Sequence, residues 1–363
     1  MSLLPRPARA VLVLAVVWAA AAGAQQPAPA ERDSAALRPL FASDDAIALT
    51  VELPLRPLRG DRGQDSPERE AVAVFPGPGG ELMRVDVQIR TRGRFRLQRQ
   101  ICDFPPLRLN LPRSQVQNTV FDGQDKLKLV THCRDRDLAF QQYVLQEYLA
   151  YRLYNILTEA SFRVRLAWVT YVDSEGRRDP MSRYAFFIED VDDMAARNGW
   201  DVLEVRNVHP YDLRASQLRM LEVFHYMIGN TDWSVVAPER GKDYCCHNGR
   251  VIGNMRGVAL PVPYDFDLAG VVDARYARPA PDLEIRYVRE RLFRGFCSPR
   301  EEVEAALVLF QQQRPAIYEL YRSQVGLDSA QLRITTEYLD EFYEVIGDSA
   351  EVTAEFMEKC IPL

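Results

Sequence analysis

The stretch "LAFQQYVLQEYLAYRLYNILT", Leu138 to Thr158, decides the fold class. It contains neither glycine nor proline and is rich in good helix formers, so it predicts a helix. Apolar side chains occur nearly all round it, which places most of its surface in a core. Glu147 and Arg152 are its only charges, and each needs a partner in such surroundings. Glu147 is then either half of an internal salt bridge or an acid that orients a ligand-binding lysine.

Outward from this helix, the flanking segments read as strands. "AIALTVELPL", "EAVAVF", "LMRVDVQIRTRGRF", "PLRLNL" and "DKLKLVT" precede it, and "FRVRLAWVTYVD" and "RYAFFIED" follow. After Glu189-Asp190 the pattern turns helical. The expectation is an α+β protein with two lobes, β-rich over residues 45–190 and mainly helical over 191–363. A chain of 363 residues that is 47% hydrophobic can fill such cores. Its formal net charge of −6 argues against a protein whose main task is to neutralise nucleic-acid phosphates.

The N-terminus has the pattern of an export signal. Arg6 and Arg9 precede the apolar run "AVLVLAVVWAAAA", and Ala22-Gly23-Ala24 offers small residues for cleavage after Ala24. Residues 25–44 form a polar spacer, and no later segment is apolar enough to span a bilayer. A periplasmic or secreted protein is expected. The six cysteines all follow the signal, where an oxidising compartment permits disulfides. Cys102 precedes "PLRLNL" and Cys133 follows "KLKLVT"; antiparallel pairing of those strands would bring the two cysteines together. Cys245, Cys246, Cys297 and Cys360 stay unassigned.

Several residues carry candidate chemistry. Arg90, Arg92, Arg94 and Arg96 recur at period two, so they share one face of a strand, solvated or anion-binding. The chain has only four lysines among 45 basic residues, and two of them, Lys126 and Lys128, lie on one strand face, either as exposed strand residues or where an ammonium can reach a phosphate or an acid. The glycines of "PGPGG" read as an ordinary turn between strands. The helix "LRASQLRMLEVFHYMI" stops at Gly229-Asn230 and is followed by Asp232, a carboxylate just past a helix C-terminus. A hairpin turning at Asn248-Gly249 is expected next. "PVPYDFDLAG" then sets Asp265 and Asp267 two residues apart at a strand end, with Phe266 turned into the core. This order suits phosphoryl transfer, with one carboxylate for the nucleophile's proton and others for Mg²⁺. The same carboxylates would also serve a metal-dependent hydrolase, with water as the acceptor.

Taken in order from Val85 to Gly270, these segments resemble the spore-coat protein H (CotH) kinase family, a divergent branch of the protein-kinase-like fold. "IRTRGRF" is similar to its Arg-Gly strand and "FPPLRLNL" to its lysine-rich strand. "DKLKLVTHCRDRDLAFQQYVLQEYLAYRLYNIL" looks like its strand and long helix, "YAFFIED" like its hinge, and "NTDWS" with "PYDFDLAG" like its catalytic and metal segments. The resemblance implies Mg²⁺ (or Mn²⁺) and ATP between two lobes. Asp232 would be the catalytic carboxylate, with Asp265 and Asp267 as metal ligands and Asn230 or Ser234 as a further contact. Arg92, Arg108, Lys126, Lys128, Glu147 and Glu189 would bind the nucleotide. Ala237 stands where a kinase-type asparagine is expected. The implied activity is transfer of phosphate from ATP to a hydroxyl of an exported protein or glycan. The alternative is a non-catalytic envelope or secreted binding protein on the same scaffold.

Overall fold

The computed structural model describes residues 37–238, 242–254 and 257–363. The expected signal and most of the spacer lie outside the described residues. In chain order the elements are β1 (Ile47–Leu53), α1 (Leu55–Gly60), β2 (Arg69–Pro76), β3 (Leu82–Thr91), β4 (Leu107–Asn110), β5 (Lys126–Val130) and α2 (Ala139–Leu157). Then come β6 (Val164–Asp173), β7 (Met181–Ile188), α3 (Val191–Arg197), β8 (Asp201–Val202) and α4 (Ala215–Ile228). The chain ends with β9 (Gly249–Asn254), β10 (Val258–Pro263), α5 (Arg300–Arg322), α6 (Ser329–Gly347) and α7 (Ser349–Val352).

Strands β1 to β7 close into a barrel in the order β1-β2-β3-β4-β5-β7-β6. Neighbours pair antiparallel except at the closure, where β1 runs parallel to β6 from Ile47↔Ala167 to Leu53↔Asp173. This closure overturns the expected two-lobed protein-kinase-like fold with a β-rich N-lobe and a mainly helical C-lobe. The seven strands form no open sheet, because β1 covers the edge that β6 would otherwise leave unpaired. A separate apolar cluster fills the barrel interior, while the larger one crosses residue 190. One continuous apolar cluster runs from Leu166 and Phe186 of the barrel wall through Tyr148 and Tyr154 of α2 to Phe224, Phe310 and Phe342 of α4, α5 and α6. Residues Ser34–Leu363 accordingly form one compact unit.

The alternation along β6 and β7 explains why one helix can serve both sides. Ala167, Val169, Ala185 and Phe187 fill the barrel interior, whereas Leu166, Phe186 and Ile188 face outward onto α2. Residues 185–188 of β7, buried on both faces, read as a continuous apolar run. A second sheet, β10-β9-β8, lies beyond α4. Its hairpin pairs Asn254 with Val258 and Gly249 with Pro263, so Asn248-Gly249 opens β9 and does not form the hairpin turn. Asn248 still adopts the left-handed conformation, at φ 51°, and its side chain is used in the site described below.

The cysteines form three disulfides, Cys102–Cys133, Cys245–Cys246 and Cys297–Cys360. The first is the expected pair, with its Cα atoms 4.5 Å apart beside the antiparallel bridge between Phe104 and Cys133. It closes a loop of 31 residues. Serine at both positions should lower unfolding stability by roughly 3–4 kcal/mol in the chain-entropy account. Urea denaturation of the two proteins checks this; equal midpoints would show that the bond constrains nothing. No helix among the described residues is long and apolar enough to cross a membrane. That and the disulfides are compatible with an extracellular or secreted protein.

Candidate functional site

Glu147 is where the site begins, because burial forces it to find a cation. It projects from α2 with 2% of its side chain exposed, and it receives Arg96 in a two-pronged ion pair. Nη1 and Nη2 of Arg96 donate to its two oxygens at 3.0 and 3.3 Å. Arg96 leaves the period-two stripe of arginines, because β3 ends at Thr91 and residues Phe95–Leu97 form a 3₁₀ turn that swings its side chain inward. The same guanidinium reaches Asp265 Oδ1 at 3.4 Å and Asp267 Oδ2 at 3.3 Å. One arginine thus gathers three carboxylates from α2 and the loop after β10.

The two aspartates differ in what surrounds them. Asp265 has a left-handed backbone, φ 65°, which aspartate tolerates better than most residues. Its N–H donates to the Tyr151 hydroxyl at 2.8 Å, and its carboxylate is 42% exposed. Phe266 between them is fully buried against Tyr151 and Phe224. Asp267 is buried, hydrogen-bonded to Tyr276, and burial pushes it up to about 8 although Arg96 opposes the shift. Burial also raises Glu147, again with Arg96 as the chief opposing charge.

Next to this network lies a pocket lined by Arg92, Lys128, Arg250, Asp265 and Tyr264, with Val130, Phe162 and Ile188 as an apolar floor. Its free volume is about 20 Å³, so its side chains must move to admit anything larger than a water. Among the described residues, the side chains of Lys128 and Arg92 form no hydrogen bond and no ion pair. Burial lowers Lys128 to about 8, Arg92 adding to the effect, and it lowers Arg92 as well, with Asp265 opposing. Desolvated cations without partners are costly, and an anion entering the pocket would relieve that cost.

Asp232 sits beside this pocket through Asn248. The Asn248 amide donates to Asp232 O at 2.7 Å and to Oδ2 at 2.8 Å, while its backbone carbonyl accepts from Tyr264 N at 3.1 Å. His247 Nε2 lies 2.6 Å from Asp232 Oδ1. The close approach that permits this is made by glycine. Gly229 caps α4 at φ 63°, and its carbonyl accepts from Gly270 N at 3.0 Å. A Cβ on Gly270 would collide with the Val288 carbonyl oxygen. A Cβ on Gly229 would lie 3.3 Å from Gly270 Cα, so the approach of the α4 end to the Asp265–Gly270 loop favours glycine at this cap.

The other expected site residues are placed elsewhere or otherwise engaged. Asn230 is buried, accepting from Asp232 N at 3.0 Å and contacting His225. It shapes the turn that presents Asp232. Ser234 accepts from the N–H groups of Val236 and Ala237, which spends its hydroxyl on the turn. Arg108 pairs with Glu68 at 2.8 Å, and Lys126 is exposed at the far end of β5. Glu189 accepts from Arg163 N and binds Arg197 at 3.1 Å, which makes it a latch between β7 and α3. The structure brings together Arg92, Lys128, Glu147, Asp265 and Asp267, with Asp232 adjoining. The roles of Arg96, His247 and Asn248 escape the sequence reading, and Tyr151, Tyr276 and Arg250 escape it altogether. The signal that could have found Arg96 is the requirement that buried Glu147 meet a cation; for Asn248 it is an Asn-Gly pair placed soon after a loop aspartate.

No protein-family model matches this chain, and no curated protein is detectably similar to it.

Proposed function

We propose that this chain is an exported phosphotransferase, periplasmic or secreted, that takes a phosphoryl group from ATP and passes it to a hydroxyl of a protein or glycan. The observation that carries this reading is a pair of half-buried cations, Lys128 and Arg92, with no hydrogen bond or ion pair to their side chains among the described residues, on one wall of a pocket that also presents the Asp265 carboxylate. Their charge and hydrogen-bond donors suit phosphate oxygens. The apolar floor suits a base or another flat group once the side chains part.

Asp265 is the carboxylate that fits a divalent cation, since it lines the pocket, is half-exposed and meets Arg96 only at 3.4 Å. Asp267 does not fit, because Arg96 and Tyr276 already occupy it. A bound Mg²⁺ or Mn²⁺ would neutralise phosphate oxygens as charge builds on them. In the transfer, the acceptor oxygen forms a bond to the terminal phosphorus while the bond from that phosphorus to the bridging oxygen of ADP breaks. The proton of the acceptor hydroxyl passes to Asp232, which His247 and Asn248 hold by both carboxylate oxygens and by its carbonyl.

A second reading, binding without turnover, is favoured by one observation. Arg96 reaches both Asp265 and Asp267, so a metal must compete with a guanidinium already in place. Thermal-shift titration with ATP, with and without Mg²⁺, tests the two together. Ligand at about a hundred times its dissociation constant should add roughly 2.7 kcal/mol to stability. Asp265→Ala should abolish the Mg²⁺-dependent part of the shift. Asp232→Ala should keep the shift while phosphoryl transfer to an acceptor, read as ADP formed, falls by orders of magnitude. A full Mg²⁺-dependent shift in Asp265→Ala would exclude the role given to this carboxylate. Unaltered shifts in every variant, with no turnover in the parent, would favour the second reading.

A further inference from the structure

Tyr276, whose hydroxyl reaches Asp267 in the buried network, also lines an open cleft of about 780 Å³. The cleft's walls carry Arg134, Arg136, Arg275 and Arg278 together with Ile101 and Phe140. Only Arg275 meets a carboxylate there, pairing with Asp137 at 2.5 Å. Arg278 donates to the backbone carbonyls of Arg275 and Ala277 at 3.0 and 2.6 Å. Arg134 donates to the Gln100 carbonyl and lies 6.0 Å over the Phe140 ring. Arg136 is exposed. On a chain whose formal net charge is −6, this face gathers guanidinium groups that no carboxylate among the described residues neutralises. The Cys102–Cys133 disulfide fixes the cleft's rim, since Ile101 and Arg134 adjoin its two cysteines.

We infer that this cleft binds an acidic peptide segment, the part of a protein acceptor that flanks the reacting hydroxyl. That last clause rests on the phosphotransferase reading; the binding itself does not. Exposed guanidinium groups select carboxylates. The lining also includes Asp103, whose Oδ1 accepts from Asp135 N, and Asp137. A polymer with a carboxylate on every unit would meet both of these acids. A peptide offers N–H donors and apolar side chains between its acids, and these suit Asp103, Ile101 and Phe140. The protein-acceptor half of the phosphotransferase reading is thereby favoured over the glycan half.

Fluorescence anisotropy with a labelled peptide of alternating glutamate and leucine around one serine tests this on the full mature chain. The expected result is saturable binding that weakens as salt is raised through the range where surface charges become screened. Arg136→Glu combined with Arg278→Glu should weaken it by about tenfold or more while leaving the ATP-induced thermal shift unchanged. Both residues are exposed, so folding should survive, and the retained ATP shift reports on it. No saturable binding by the parent, equal binding by the charge-reversed variant, or tighter binding of an oligogalacturonate than of the peptide would each overturn the inference. Peptide binding with no ATP shift in the parent would keep the cleft and remove the donor reading.

Discussion

Lys128→Met should reduce affinity for ATP by about 10- to 100-fold, the loss expected when one charge-assisted hydrogen bond is removed. It should also erase a pH dependence that the parent shows. Lys128 stands at about 8 in the ligand-free protein because burial and Arg92 disfavour its charged form, against the weaker pull of Asp190 and Asp265. Unfolded, it returns to the ordinary lysine value near 10.5. Below pH 8 the folded protein bears the full cost of a charged amine in that pocket. Between about 8 and 10.5 the unfolded chain holds more protons at this position, so this group's contribution to stability rises with pH there. An incoming phosphate works in the opposite direction, favouring the ammonium and raising its pKa. Binding above pH 8 must therefore take up a proton, and the parent's affinity should fall as pH climbs through that value. The methionine variant should bind weakly with no such fall. Isothermal titration in two buffers of different ionisation heat reads both affinity and proton uptake. Unchanged affinity and unchanged proton uptake in Lys128→Met would remove this lysine from the site.

The same lysine shows how far a sequence carries the reading. The scarcity of lysine draws attention to Lys126 and Lys128 together without choosing between them, and the buried character of the Leu138–Thr158 stretch already requires a partner for Glu147. Both depend on local composition, which a sequence displays directly. The barrel is hidden, because closure depends on β1 lying parallel to β6, and nothing in either strand names a partner so distant along the chain. The end of β7 does announce burial on both faces, yet a continuous apolar run fits an open sheet under a helix as well as a barrel wall. Arg96 is hidden for a related reason. Counting by twos along "QIRTRGRFR" assumes the strand continues, whereas β3 ends at Thr91 and a turn reverses the direction of the side chain. The Asn-Gly sequence predicts a hairpin turn at Asn248. Its left-handed backbone is present, but it serves to aim an amide at Asp232.

Arg96→Met should have the largest effect on the ligand-free protein. The guanidinium is nine-tenths buried and contacts Glu147, Asp265 and Asp267. Removing it strands acids in a place where burial already raises Glu147 and pushes Asp267 to about 8. Breaking a buried pair by deleting one partner costs ~3–5 kcal/mol, and here one cation serves three anions. The loss should depend on pH with a definite sign. Without Arg96 the acids shift further upward, so the folded protein keeps protons that the unfolded chain releases above the ordinary carboxylate range. Stability of the variant should then fall as pH rises from about 4 through 8, and recover as pH is lowered again. Asp267→Asn added to Arg96→Met should restore part of the loss, because a neutral amide needs no counter-charge. The variant should also gain in its response to a metal. Asp265, the carboxylate that lines the pocket, loses its competing guanidinium in this variant, so Mg²⁺ or Mn²⁺ should raise the variant's melting temperature by more than the parent's. That gain would identify Arg96 as the group a metal must displace at Asp265. Melting at the parent's temperature at pH 7, with no response to either ion, would show that Arg96 neutralises none of the three acids.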